Sequence, residues 1–193
     1  MERIAHGVYQ LAGTPIPDHR DLRAAWLQLA PETPAWERTA DKGVVSHRSA
    51  AALFGLGNLP ANRYEFTLPR RRQSRRADVR IHVRDLSSSE EVIHLGLPAT
   101  RPTRIASDLL VTNEDPEAVA EIVAEGIREG FAYPGAFARS FAPQAAQFGL
   151  RKGDGLGLFR WLVEMEGGPD AARWIAEAKV NVGRSVARDG SAV

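Results

Sequence analysis

Seven arginines fall between residues 70 and 84 (Arg70, Arg71, Arg72, Arg75, Arg76, Arg80 and Arg84), interrupted by one acid, Asp78. The chemistry open to them is binding. A guanidinium keeps its proton, so it cannot act as a base, but it forks onto carboxylate or phosphate through two parallel hydrogen bonds. Seven cations less one anion give this stretch +6, in a 193-residue chain whose total is +1, so the other residues sum to −5. Charge concentrated in this way on a nearly neutral chain marks a contact surface for a polyanion or an acidic protein face. Three readings are open. The stripe is a solvated hairpin loop, a nucleic-acid contact with steep salt dependence, or a protein contact through arginine–carboxylate pairs. On the two binding readings, Arg70, Arg71, Arg72, Arg75, Arg76 and Arg80 are the expected contact residues.

Other reactive residue types are sparse. His6, His19, His47, His82 and His94 include no pair at helical ligand spacing and no HExxH, so no metal site is expected. His82 and His94 become neighbours only if the strands that carry them pair. Gly153-Asp154-Gly155-Leu156-Gly157 precedes a helical pattern, whose first amides can hold an anion. Neither GxxxxGK[ST] nor GxGxxG is present, and the loop reads better as a helix–helix turn. Lys152 and Asp154 are the nucleotide contacts it would offer. Glu177-Ala178-Lys179 has the acid-x-lysine spacing of a restriction-type nuclease half-site, but that chemistry needs a strand and the surrounding pattern is helical. Ser46-His47 lacks a GxSxG elbow and reads as a helix cap with its neighbour. Zero cysteines exclude disulfides and thiolate chemistry. No cofactor is expected.

The elements that position these residues change character along the chain. Ile4–Ala12 alternates like a short strand, and Asp18 suits the cap of a helix carrying Leu22, Trp26 and Leu29. A shorter amphipathic piece is expected from Pro34 to about Gly43. Ser46 suits an N-cap, the following alanines favour helix, and Gly55 suits its end. Tyr64–Leu68 and Val79–Val83 alternate as strands, with Val92–Leu95 a third. On the second strand Arg80, His82 and Arg84 share one face and the apolar residues the other. From Arg101 the chain reads as helices separated by Gly and Pro, with Phe131, Tyr133, Phe137, Phe141 and Phe148 expected in a helical core, or part of that set at an interface, and the last residues, 188–193, frayed. The expected fold is α+β, a mixed N-terminal half with a small antiparallel sheet and a helical C-terminal half. No apolar run approaches 18 residues and no signal peptide is read, so a cytoplasmic protein without a membrane segment is expected.

Three segments in order carry a family resemblance. Arg3-Ile4-Ala5-His6-Gly7-Val8-Tyr9 resembles the R-x-x-x-G-V-Y wing of AbiEi-type antitoxins. Val45-Ser46-His47-Arg48-Ser49-Ala50-Ala51-Ala52-Leu53-Phe54-Gly55-Leu56 is similar to the V-S-H-x-S-A-A-x-L-x-G-L segment of their next domain. Leu97-Pro98-Ala99-Thr100-Arg101-Pro102-Thr103-Arg104-Ile105-Ala106-Ser107-Asp108-Leu109-Leu110 looks like their L-P-V-T-x-P-x-R-T-x-x-D-L stretch. The resemblance implies a remnant of a winged-helix wing at 1–14, a mixed antitoxin domain at 15–112 and a helical region at 113–193. It also implies an antitoxin of a type IV-like pair, which neutralises a nucleotidyltransferase-like toxin by protein contact and regulates its own operon at operator DNA. The chain starts at the wing, so the recognition helix lies upstream or has been lost, which ranks a purely DNA-binding regulator third. A serine kinase that phosphorylates the toxin is the alternative. ATP and magnesium would be its cofactors, and Lys152 and Asp154 its nearest candidates for a nucleotide site.

Overall fold

The computed structural model describes residues 1–74 and 76–189, the last six of these by backbone alone. The chain divides into two compact units. One comprises Met1–Gly55 and Pro60–Thr100; the other comprises Leu56–Leu59 and the chain from Arg101 onward.

The first unit begins with an antiparallel hairpin of β1 (Glu2–Ala5) and β2 (Val8–Gln10). A single strand was the expectation from alternation; Gly7 breaks it by taking a left-handed φ of 75°, which reverses the chain. Helix α1 (Arg20–Leu29) follows and buries Leu22, Trp26 and Leu29 as its spacing predicts. Its cap is His19 in a left-handed conformation, with no side-chain cap bond, and not Asp18. At its other end the Arg38 guanidinium donates to the carbonyls of Trp26, Leu27 and Ala30, satisfying acceptors that a helix terminus leaves open. The piece after Pro34 is two short 3-10 turns (Ala35–Glu37 and Ala40–Lys42) rather than one amphipathic helix.

Five strands then form one sheet: β3 (Val44–Val45), β4 (Tyr64–Leu68), β5 (Val79–Val83), β6 (Glu91–His94) and β7 (Leu97–Thr100), in the order β5-β4-β3-β7-β6. The pairs β3–β4 and β6–β7 are antiparallel, whereas β4–β5 and β3–β7 are parallel. The fold is α+β, as the sequence implies, with an antiparallel hairpin at its start and a second sheet that mixes directions. His82 on β5 and His94 on β6 stand on opposite edges of that sheet, so they are not neighbours. His94 instead stacks on Phe54 of α2 (His47–Phe54), with ring centroids 3.9 Å apart.

The second unit is helical: α3 (Pro102–Val111), α4 (Pro116–Arg128), α5 (Pro134–Ser140), α6 (Gly155–Glu166) and α7 (Ala171–Asp189). Proline opens the first three, where its missing N–H costs no helical bond. Phe137, Phe141, Phe159 and Trp174 are in the core, and Phe148 leans on Trp161. Phe131 and Tyr133 are largely exposed, contrary to expectation, because they precede α5 in the loop between Gly130 and Pro134. Helix α7 reaches Asp189, two residues into the tail expected to fray; residues 190–193 lie outside the described residues. Among the described residues no helix is long and apolar enough to cross a membrane.

Candidate binding surface at the basic edge of the sheet

Because β4 and β5 run parallel, in the register Tyr64↔Val79 to Leu68↔Val83, the arginine-rich segment cannot be a hairpin. It is a crossover that carries the chain back along the full length of β4. Parallel neighbours are usually joined by a dozen or more residues with a helix among them. Here the return takes residues 69–78, and among the described residues of that span there is no helix.

Both ends of the crossover are fastened. At its start β4 buries Phe66, Thr67 and Leu68. At its end the Arg76 guanidinium grips Asp78 through two bonds of 2.9 and 2.6 Å, donates to Gln28 Oε1 at 2.8 Å and lies 5.3 Å from the centre of the Tyr64 ring. Its pKa is raised, chiefly by the hydrogen bond to Asp78, whose own carboxyl is held low by the same contact. Arg76, expected as a contact residue, is therefore a structural clamp. Between the fastened ends, Arg70, Arg71 and Arg72 are exposed, and the nearest carboxylate oxygen to Arg72 is that of Glu32 at 4.0 Å. Arg80 on β5 is also exposed and reaches Glu65 only at 3.8 Å, and Arg84 just beyond the strand is exposed. Arg75 lies outside the described residues.

Strand β5 divides two environments. On one face Val79, Ile81 and Val83 form the floor of a groove of about 480 Å³, walled by Arg71, Arg72 and their neighbours Gln73 and Ser74. Val83 is 50% exposed there. On the other face, Arg80 and His82 share a side with Glu65 and Thr67 of β4, as the parallel register requires.

That second face holds a polar cluster that sequence reasoning missed. Glu65 is buried, yet its Oε1 accepts from His82 Nε2 at 3.1 Å and its Oε2 accepts from the Arg48 N–H at 3.0 Å. Glu65, not Ser46, thus caps α2 from a neighbouring strand, and the carboxylate meets the positive end of that helix. The Ser46 hydroxyl shares a 3.0 Å hydrogen bond with His47 Nδ1 instead. His47 has a φ of 53°, an uncommon value outside glycine, and its ring stacks on His82 with centroids 3.5 Å apart and planes 12° apart. Burial alone would push the Glu65 carboxyl up. The hydrogen bonds from His82 and the Arg48 N–H, with the electrostatic influence of the His47 and His82 rings, outweigh it and hold the carboxyl low.

A serine, two histidines and a glutamate in series have the residue types of a hydrolytic relay. Ser46 has no exposed surface and His47 is 3% exposed, so no substrate can approach either. The cluster anchors the start of α2 to the sheet. Alternation gave no signal for it: Glu65 shares the polar phase of β4 with Thr67, where an acid is ordinarily solvated.

In the second unit the glycine-rich loop is explained by packing. Asp154 Oδ1 accepts from the Gly157 N–H at 2.7 Å, capping α6. A Cβ on Gly155 would fall inside the van der Waals radius of the Ala138 carbonyl oxygen, and one on Gly157 would strike the Asp154 carboxylate. Lys152 is exposed beside this turn. Glu177 and Lys179 project from α7, a helix, which lacks the strand geometry that an acid-x-lysine metal site needs. Among the described residues, no three His, Asp or Glu side chains gather in a way that can hold a metal ion.

Neither a protein-family model nor a curated protein sequence matches the chain. The segments that carry the resemblance occupy defined places: the first is the β1–β2 hairpin, the second runs from β3 through α2, and the third begins with β7. The last two lie side by side, with Val45 paired to Ala99 and the Thr100 hydroxyl donating to the Val45 carbonyl at 3.4 Å.

Proposed function

We propose that this chain is a binding module, an antitoxin that neutralises a nucleotidyltransferase-like toxin by direct protein contact through the basic edge of its five-stranded sheet. The observation that carries the contact is the division of labour among the arginines. Arg76 locks the end of the crossover, while Arg70, Arg71, Arg72 and Arg80 present exposed guanidiniums around β5. Charges held at a fixed place lose less freedom on binding than charges on a loose loop, which favours affinity. The antitoxin class rests on the three motif segments, two of which pair as neighbouring strands and thereby behave as one scaffold.

The geometry favours protein contact over phosphoryl transfer. Asp154 caps a helix, and the glycines around it admit close backbone packing, which accounts for that loop without a nucleotide. Operon regulation would use the β1–β2 hairpin as a wing and the arginines as phosphate contacts.

The test combines size-exclusion chromatography with intact mass spectrometry on a mixture of the chain and the toxin. Co-elution that is lost in an R70E/R71E/R72E variant, with the toxin mass unchanged, is the expected result. An ATP-dependent mass gain on the toxin without co-elution overturns the binding reading in favour of phosphorylation.

A further inference from the structure

The backbone of β5 carries more information than its charges. Tyr64 N–H donates to the Asp78 carbonyl at 2.7 Å, and Arg84 N–H donates to the Leu68 carbonyl at 3.0 Å. In a parallel ladder alternate residues turn their N–H and C=O to the same neighbour. Residues 78, 80, 82 and 84 therefore face β4, and Ile81 and Val83 turn their backbone groups to the open side. Strand β5 ends the sheet, with β4 as its one strand neighbour among the described residues, and its register with β4 is unbroken by any bulge.

We infer that the open edge of β5 is a strand-addition site for an extended peptide of alternating acidic and apolar residues. This rests on the contact-module reading and names the chemistry of its partner. An added strand pairs its backbone with Ile81 and Val83, and its side chains fall alternately on the two sheet faces. One set lies over the apolar floor of Val79, Ile81 and Val83 in the groove. The other set meets Arg80 and Arg84 on the opposite face, where acids form charge-assisted pairs.

Charge decides between occupants. A second copy of this chain would bring its own Arg80 and Arg84 against the same residues, and like charges directly opposed across strands repel. Arg71 and Arg72 in the groove wall add to the preference for an acidic guest. A nucleic acid satisfies the arginines but makes no use of the Ile81 and Val83 backbone groups or of the apolar floor.

The experiment is fluorescence anisotropy on the full chain with dye-labelled peptides of about eight residues, a common strand length. One peptide alternates glutamate and valine, one has the same composition in two blocks, and one alternates but carries N-methyl groups on every second residue, prepared in both phases. A single-stranded oligonucleotide of equal charge is the fourth ligand. The alternating peptide is expected to bind at least about tenfold more tightly than the block peptide, and one phase of N-methylation is expected to remove that advantage while the other does not. Equal binding of alternating and block peptides, or indifference to both N-methylation phases, overturns strand addition. If the oligonucleotide and all peptides then bind alike and R70E/R71E/R72E weakens them all, the basic contact stands without it. If that variant weakens none, the contact reading itself fails.

Discussion

Two clusters of polar side chains flank β5, and they handle charge in opposite ways. Under α2, Ser46, His47 and Glu65 are buried and His82 is half-buried, and the fold supplies each of them with a partner inside the cluster. In the crossover, Arg70, Arg71 and Arg72 are exposed to solvent, and Arg76 alone among the described arginines there is clamped by a carboxylate within 3 Å. Residue type does not separate the two sets. What separates them is the number of partners the fold supplies to each group: a buried polar group must find its partners inside, whereas an exposed one is free to find them in another molecule.

The sharpest way to break this contrast is at Glu65. Glu65→Ala leaves the His82 imidazole and the Arg48 N–H without their acceptor and is expected to cost about 3 kcal/mol, read as a shift in the urea midpoint. If the cost is near zero, the cluster does not hold α2. Gly155→Ala probes a steric dependence instead, since its added methyl meets the Ala138 carbonyl oxygen; about 2 kcal/mol is expected by the same measurement.

The same carboxylate gives the contrast a pH signature. The folded Glu65 carboxyl lies below its ordinary value of 4.5. Its contribution is therefore complete above that value and is lost as pH falls through the folded one. The stability difference between wild type and Glu65→Gln should shrink as pH falls below about 5. Convergence on raising the pH instead would contradict the assignment.

Smaller effects sharpen the division inside the crossover. Arg76→Ala removes the Asp78 fork and the Tyr64 contact and is expected to lower stability by about 1 kcal/mol, because both partners are partly solvated. Reversing Arg70, Arg71 and Arg72 should leave the thermal midpoint essentially unchanged while flattening the salt dependence of polyanion retention on a heparin column. A large fall in midpoint would mean that these residues, too, are structural.

Local patterning made much of the fold legible: the alternation of Tyr64–Leu68 and Val79–Val83, the spacing of Leu22, Trp26 and Leu29, and the helical character of the chain from Arg101 all read directly. Strand direction did not. Nothing in the alternation of residues 64–83 distinguishes a hairpin from a parallel return, because a strand has the same two-residue period in either direction. The polar cluster was hidden for a related reason. His47, Glu65 and His82 are far apart in sequence, and the capping role that Ser46 fits by type passes to Glu65 through tertiary contact. The arginines were visible as a charge, but which of them is a clamp depends on Gln28 and Tyr64, which lie outside the stripe.

The central strand also sets an order of events during synthesis. Strand β3 leaves the ribosome before either of its neighbours exists. One flank must wait for β4, and the other for β7, which emerges only after the basic crossover and β6 have passed. Until then one edge of β3 travels unpaired, so the nascent chain carries an incomplete sheet through most of its first unit. A truncated transcript ending before Leu97 would thus yield a chain with its most charged segment present and its central strand unprotected, a natural substrate for chaperones and proteases.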